Sequence, residues 1–178
     1  EIRILDIGTG PGFFPVILAE AGYHVDAVDY TEGMLEKAKE NAGELCRNIH
    51  FQRMDAQKLD FEDNTFDVVI SRNLTWNLEH PDVAYREWVR VLKVGGKLLN
   101  FDANWYGYLY EEEQRKAYEN DRKNVENNSL DDHYLCTDIE RMERIALQVP
   151  LSKIRRPEWD VKTLREAGLL GIYTDTEI

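Results

Sequence analysis

Three acids and one cluster of glycines carry the clearest chemistry in this sequence. Asp6 stands just ahead of Gly8-Thr9-Gly10-Pro11-Gly12. Glycines at alternate positions suit a loop that closes on a ligand, because a missing Cβ permits positive φ and close approach of the backbone. A helix N-terminus directly behind such a loop presents unpaired N–H groups, so an anionic or carboxylate end of a ligand is expected there. Asp29 follows about 20 residues after the first glycine, the distance at which an α/β nucleotide site places an acid on ribose. A carboxylate fits that task because it accepts two hydrogen bonds from a vicinal diol. Asp55 closes a third apolar stretch and reads on its own as an Asx turn.

The elements that must hold these groups follow from periodicity. Ile4-Leu5 and Ile7 form a short apolar run expected to be a buried parallel strand, and Phe14, Ile17, Leu18 and Ala21 recur at helical spacing up to Gly22. Tyr23 to Val28 predicts a second strand closed by Asp29, and Thr31 is expected to cap a helix from about Glu32 to Asn41. Ile49 to Met54 and Phe66 to Ser71 predict the third and fourth strands. Pro81 opens a helix running to about Leu92, with Val83, Ala84, Trp88 and Val91 on one face. Gly95-Gly96 is expected to turn the chain into a fifth strand, Lys97 to Asp102. Beyond it, helices are expected from Glu111 to about Val125, from Asp138 to Gln148 with Thr137 as cap, and from Asp160 to Ala167. A sixth strand is expected near Gly171 to Thr174. Strands alternating with helices imply a doubly wound, mostly parallel α/β sheet.

The glycine spacing narrows the ligand. The pattern is G-x-G-x-G, whereas a dinucleotide fingerprint needs a small residue where Phe13 stands, and no Gly-Lys-Ser or Gly-Lys-Thr of a phosphate loop follows. With Asp6 in front, the stretch resembles motif I of the class I S-adenosylmethionine-dependent methyltransferases. Asp29-Tyr30-Thr31-Glu32-Gly33-Met34-Leu35 resembles the segment after that family's second strand, and Phe66 to Asp102, around Arg90-Val91-Leu92-Lys93-Val94-Gly95-Gly96-Lys97, is similar to its ubiquinone/menaquinone-biosynthesis-like group. Val94 stands where that group usually has Pro. The resemblance covers Ile2 to Asp102 well and Trp159 to Thr174 weakly.

That resemblance implies a Rossmann-like fold of seven strands, of which six are countable, with a helical lid inserted after the fifth. One domain over 1–178 is expected, its core 1–104 and 159–178 and its lid about 105–158, truncated at both ends. It also implies S-adenosylmethionine as cofactor, bound by Asp6, Gly8, Thr9, Gly10 and Gly12 at the methionine end and by Asp29 and Tyr30 at the ribose. Asp55 and Ala56 would meet the adenine, with Met34 packing near it or filling core, and Arg72 and Asn73 would give backbone contacts to the methionine end.

On the acceptor side the candidates are Trp76, Asn77, Asn104, Trp105 and Tyr108, the two tryptophans serving equally well as packing. His80, Asp102 and Tyr106 are the candidates for a catalytic group, although methyl transfer from a sulfonium can rest on positioning alone. Asp102 with Asn104 resembles metal-dependent O-methyltransferases, but Ser71-Arg72-Asn73 lacks the second acid, so no metal is expected.

Composition bounds the partners. Among 178 residues, 34 acidic against 22 basic side chains give a net charge of -12, which disfavours nucleic acid as substrate, and the Asn/Asp-Pro-Pro-Tyr/Phe signature of nucleic-acid amino methylation is absent. The clearest basic cluster is Lys153-Ile154-Arg155-Arg156. Two distant cysteines form no metal or redox spacing, and no apolar run reaches the roughly 18 residues of a membrane span. A cytoplasmic enzyme acting on a small molecule is the expectation, with a nicotinamide-dependent oxidoreductase or a non-catalytic adaptor on the same fold as alternatives. Oligomeric state is left open.

Overall fold

The structure is a computed structural model that describes residues 2–128 and 138–176. Five strands, β1 (Ile4–Ile7), β2 (Val25–Asp29), β3 (Ile49–Arg53), β4 (Phe66–Arg72) and β5 (Leu92–Phe101), form one parallel sheet in the order β3-β2-β1-β4-β5. Helices α1 (Phe13–Glu20), α2 (Glu32–Ala42), α3 (Pro81–Val91), α4 (Glu112–Asn128), α5 (Ile139–Ala146) and α6 (Glu158–Glu166) complete the described elements, with short 3-10 turns between them. The chain winds from β1 outward to β3, then returns to β4 and continues to β5 on the other side. The direction of winding thus reverses beside β1, and a crevice is expected there at the carboxyl ends of the strands.

All four β1 residues are buried, as a strand covered on both faces must be. Leu5, Ile7, Val28 and Val69 face one way and pack with Tyr85, Trp88 and Val91 of α3 and Leu164 of α6. On the opposite face Ala27 and Ile49 meet Ala19 of α1 and Ala42 of α2, while Ile4, Val25 and Ile70 meet Phe14 and Leu18. Small residues bring this second layer close. A Cβ on Gly12 would stand 3.1 Å from the Ala38 methyl, and Gly12 sits at φ 88° where α1 begins.

Two expectations differ from what the fold shows, and a third falls outside the described residues. Gly95-Gly96 lies inside β5 and not before it: Leu92 already pairs with Phe66, and the register then jumps to Lys97 opposite Val68. The residues between bulge outward, with Gly95 at φ 83° and no room for a Cβ at Gly96, which would meet the Asp67 carbonyl at 2.9 Å. The expected strand near Gly171 to Thr174 is irregular chain that pairs with neither edge of the sheet; Leu170 and Tyr173 are 95% and 97% exposed, and β propensity without strand pairing does not make a strand. The cap expected at Thr137 lies outside the described residues, and Asp138 caps α5 by accepting the Arg141 N–H at 2.9 Å. Among the described residues no helix is long and apolar enough to cross a membrane, and no group of three or more His, Cys, Asp or Glu side chains could hold a metal ion.

Candidate active site

The register of the sheet brings the sequence-predicted acids to one edge. Ile7 aligns with Val28 and Ser71, and Asp29 with Arg53, so the chain leaves β1, β2, β3 and β4 at the same end of the sheet. The glycine loop lies across that end. Asp29 organises it: one carboxylate oxygen accepts the Gly10 N–H at 2.9 Å and the other the Thr31 N–H at 2.9 Å. A single side chain thereby ties the loop to the start of α2 and fixes its own orientation.

The loop is less of an anion nest than its sequence predicts. The N–H groups of Gly8 and Thr9 both donate to the Val28 carbonyl at 2.9 and 3.0 Å, and that of Gly12 donates to the Thr9 carbonyl at 3.0 Å. With Gly10 held by Asp29, these amides are already committed to protein acceptors. What the loop offers a ligand is close approach. At Gly10, φ is 52° and a Cβ would meet nothing within 4 Å, whereas at Gly8 it would strike Leu74 at 2.7 Å.

Asp6 lies beneath the loop at 2% exposure, and burial pushes its carboxyl up to about 7. The negative charge of Asp29 adds to that shift. The Thr9 and Ser71 hydroxyl oxygens are themselves buried with no hydrogen-bond partner. Unsatisfied buried hydroxyls are costly, and two of them flanking an open glycine turn fit a polar ligand that supplies the missing partners.

On the β3 side Asp55 forms the Asx turn: its Oδ1 accepts from the Gln57 backbone at 2.8 Å and side chain at 3.2 Å. Ala56 is buried and its carbonyl takes the Trp88 indole N–H at 2.9 Å. Met34 is 46% exposed at the first turn of α2, which places it at the surface and not in the core. Tyr30 is exposed too, with the Arg53 guanidinium 5.8 Å from its ring centre. Arg72 lies over the Phe13 ring at 4.6 Å, so both line the rim between β4 and α1. Asn73 adopts φ 53°, donates its N–H to Phe101 and accepts the Trp76 indole N–H on its carbonyl.

The acceptor-side candidates separate into three groups. Trp76 and Tyr106 meet with ring centres 5.5 Å apart, Tyr106 and Tyr108 at 6.0 Å, and Tyr108 stacks on Tyr118 at 4.1 Å, giving one aromatic ladder that leads to α4. Trp105 and Asn77 are exposed, and Asn104 donates weakly to the Ile154 carbonyl at 3.4 Å. His80 stands elsewhere: it precedes α3, its side chain is 63% exposed, and its backbone N–H donates to Gln57 at 2.7 Å beside the Asp55 turn. His80 is thus tied through its backbone to the Asp55 turn, while its imidazole stays exposed. Asp102 is buried and fully engaged, accepting the N–H groups of Trp76 at 3.0 Å and Ala103 at 2.8 Å and facing Arg156 at 3.3 Å.

Sequence reasoning missed the residues around Asp102. Arg156 grips Asp160 with two parallel bonds of 2.8 and 2.7 Å, Asp160 accepts the Tyr85 hydroxyl, and Asn100 donates to both Tyr85 (2.9 Å) and Thr75 (3.0 Å). The signal available was Arg156 and Asp160 one helical turn apart, hidden in what reads as a solvated basic run.

The methyltransferase-domain family matches residues 5–100 of the chain. A demethylmenaquinone methyltransferase of Clavibacter sepedonicus is 39% identical over 97 residues, covering 54% of this chain and 39% of that protein. A ubiquinone biosynthesis O-methyltransferase of Coxiella burnetii is 30% identical over 110 residues, covering 61% and 47%. Among solved structures, an S-adenosylmethionine-dependent methyltransferase from Mesorhizobium loti superposes with a TM-score of 0.54 at 27% identity, covering 60% of this chain and 50% of that one. The chain thus spans half or less of the length of these relatives. A parallel sheet whose winding reverses beside β1, a glycine loop latched by the β2 acid, and a family match across β1 to β5 agree, and the chain belongs to the methyltransferase-domain family of class I S-adenosylmethionine-dependent enzymes.

Proposed function

We propose that the protein transfers the methyl group of S-adenosylmethionine to a small-molecule acceptor. The observation that carries this reading is the Asp29 latch: a carboxylate fixed at the end of β2 on the opened glycine loop, with lone pairs still available to a ribose diol. Asp55 and the Ala56 backbone would meet the adenine, and Asp6, Thr9 and the Gly10 turn the methionine end. The carbonyls of the loop, and not its committed amides, would receive the ligand's ammonium group. The Coxiella and Clavibacter relatives are named for acceptors of the quinone class, which supports a small and largely apolar acceptor, as does the net charge of -12 against nucleic acid.

S-adenosylmethionine supplies an activated methyl on a positively charged sulfur, so the protein's own contribution is positioning and exclusion of water. Trp76 and Tyr106 present faces that tolerate a cation and hold a planar acceptor. Asp102, one of the catalytic candidates, is not arranged as a free base. It is held by two N–H groups and a guanidinium, and the phenol of Tyr108, beside the candidate Tyr106, is pushed up by burial and by its bond to Glu143. This arrangement favours an acceptor that arrives nucleophilic. The segment 105–158 would act as the lid over that acceptor, and its aromatic ladder supports the assignment.

Calorimetric titration with S-adenosylmethionine, S-adenosylhomocysteine and NADH tests the cofactor, and a screen of quinol, phenol and amine acceptors for mass gain of one methyl tests the reaction. Binding of both sulfur nucleosides and not NADH is expected. Binding of NADH alone would replace this reading with the oxidoreductase, and binding of none of the three would favour the adaptor.

A further inference from the structure

Arg156 is a guanidinium buried to 8% side-chain exposure, in a protein whose other described ion pairs lie nearer the surface. Its four partners come from three places. Asp160 lies on α6, just after Arg156 in the chain, Asp102 and the Ala103 carbonyl (3.4 Å) on the chain leaving β5, and the Thr75 hydroxyl (3.5 Å) on the turn after β4. Asp102, at 1% side-chain exposure, passes the connection on through the N–H of Trp76. Trp76 in turn carries its indole against Tyr106.

Asp102 is where the chain departs from β5 and Arg156 is where it returns to α6. The guanidinium therefore joins the two ends of the intervening segment: its two-bond fork closes on Asp160 while its Nη1 faces Asp102 at 3.3 Å, beside the aromatic wall. A buried pair of this kind is a poor source of stability compared with an apolar replacement, because two or three charges have left water. What it supplies is direction, since a planar guanidinium bonds along fixed lines that a lysine ammonium cannot reproduce.

We infer that Arg156 is a positioning residue for the acceptor side: acting through Asp102 it sets the placement of Trp76, and it clamps the base of the segment between β5 and α6. This rests on the reading above that Trp76 and Tyr106 flank the acceptor. It does not require the acceptor to be known for its test.

The test is fluorine NMR of the chain labelled with 5-fluorotryptophan, which places one reporter at each of the four tryptophans. Trp76 is assigned by Trp76→Phe, and Trp88 serves as the core reference because its indole bonds Ala56 on the other side of α3. In Arg156→Met and in the gentler Asp102→Asn, the Trp76 resonance is expected to shift or broaden while Trp88 keeps its position. Arg156→Lys, which restores the charge without the fork, is expected to fall between these and the parent. S-adenosylhomocysteine affinity should stay within about twofold in all three, because Asp29 and the glycine loop are held by other contacts and the network reaches the cradle through the Trp76 indole on the Asn73 carbonyl.

An unmoved Trp76 in Asp102→Asn would overturn the inference, as would Trp76 and Trp88 moving together, which marks general loosening. A tenfold loss of S-adenosylhomocysteine affinity would also overturn it by moving Arg156 to the cofactor side. If the parent chain fails to bind S-adenosylhomocysteine, the proposed function fails, while the Trp76 response still decides whether Arg156 positions that wall. Should Arg156→Met not fold, Asp102→Asn and Arg156→Lys carry the decision.

Discussion

The two halves of the crevice are built on different principles. Around β1, β2 and β3 the site is mostly backbone, shaped by a few glycines and latched by Asp29 within the first β-α-β unit, at contacts about 20 residues or fewer apart. Around β4 and β5 it is mostly side chain, and its bonds join residues far apart, such as Asp102 to Arg156 and Tyr85 to Asp160. The first arrangement suits a ligand that never changes. The second can be rebuilt residue by residue without disturbing the loop, which is what an enzyme family needs when one cofactor serves many acceptors.

If this division is physical, substitutions should report on one half at a time. Arg156→Met should have the largest effect, a loss of about 3–5 kcal/mol of stability, because it leaves two buried carboxylates without their cation. Urea unfolding measures this. A near-neutral result would mean that water enters the network and the acceptor half is less closed than its burial indicates.

Asp6 sharpens the contrast on the cofactor side. Its carboxyl is raised from 3.8 to about 7 in the folded chain, so the folded state holds a proton that the unfolded state gives up. The stabilisation this proton provides is complete below pH 3.8, declines as pH rises toward 7, and is gone above it. Asp6→Asn removes that slope. Relative to the parent it should gain on the order of 3 kcal/mol between pH 4 and pH 8 in unfolding experiments. It should weaken S-adenosylhomocysteine at the same time, since an amide cannot face an ammonium group as a carboxylate does. A parallel pH dependence in parent and variant would show that Asp6 ionises normally.

Asp29→Ala comes next, with affinity for S-adenosylhomocysteine lowered by roughly 30- to 100-fold, about 2–3 kcal/mol, from loss of charge-assisted bonds. The fluorine signal of Trp76 should stay in place, and its movement would break the independence of the two halves. The smallest effect is expected at Gly10→Ala. Its backbone at φ 52° costs an alanine about 1 kcal/mol, yet no atom blocks the methyl within 4 Å. Affinity should therefore fall by more than stability, and equal losses would mean that the open face of the loop is not where the ligand lies.

The legibility of the molecule follows the same division. β1 through β4, α1 to α3 and the glycine loop were readable because each depends on neighbours in sequence: apolar runs, Gly12 at the start of α1, Thr31 before α2, Pro81 opening α3. Misreadings arose where a partner strand decided the outcome. Gly95-Gly96 has the composition of a turn, but pairing of Leu92 with Phe66 draws it into β5 as a bulge. Gly171 to Thr174 has strand composition and no strand beside it. His80 looked chemical from its residue type; the structure holds its backbone on Gln57 before α3 and leaves its imidazole exposed.

By itself the sequence determined the cofactor half: a strand, a glycine turn and a helix in immediate succession, with an acid one strand later, can close in only one way when each step is short and right-handed. Only the tertiary structure decided that Thr9 and Ser71 would be left with unpaired hydroxyls, that Asp102 would be consumed as an anchor, and that Arg156 would return to meet it. Those outcomes depend on which groups burial brings together and strips of water. A charge in an apparently solvated run becomes structural only when two distant carboxylates are buried around it.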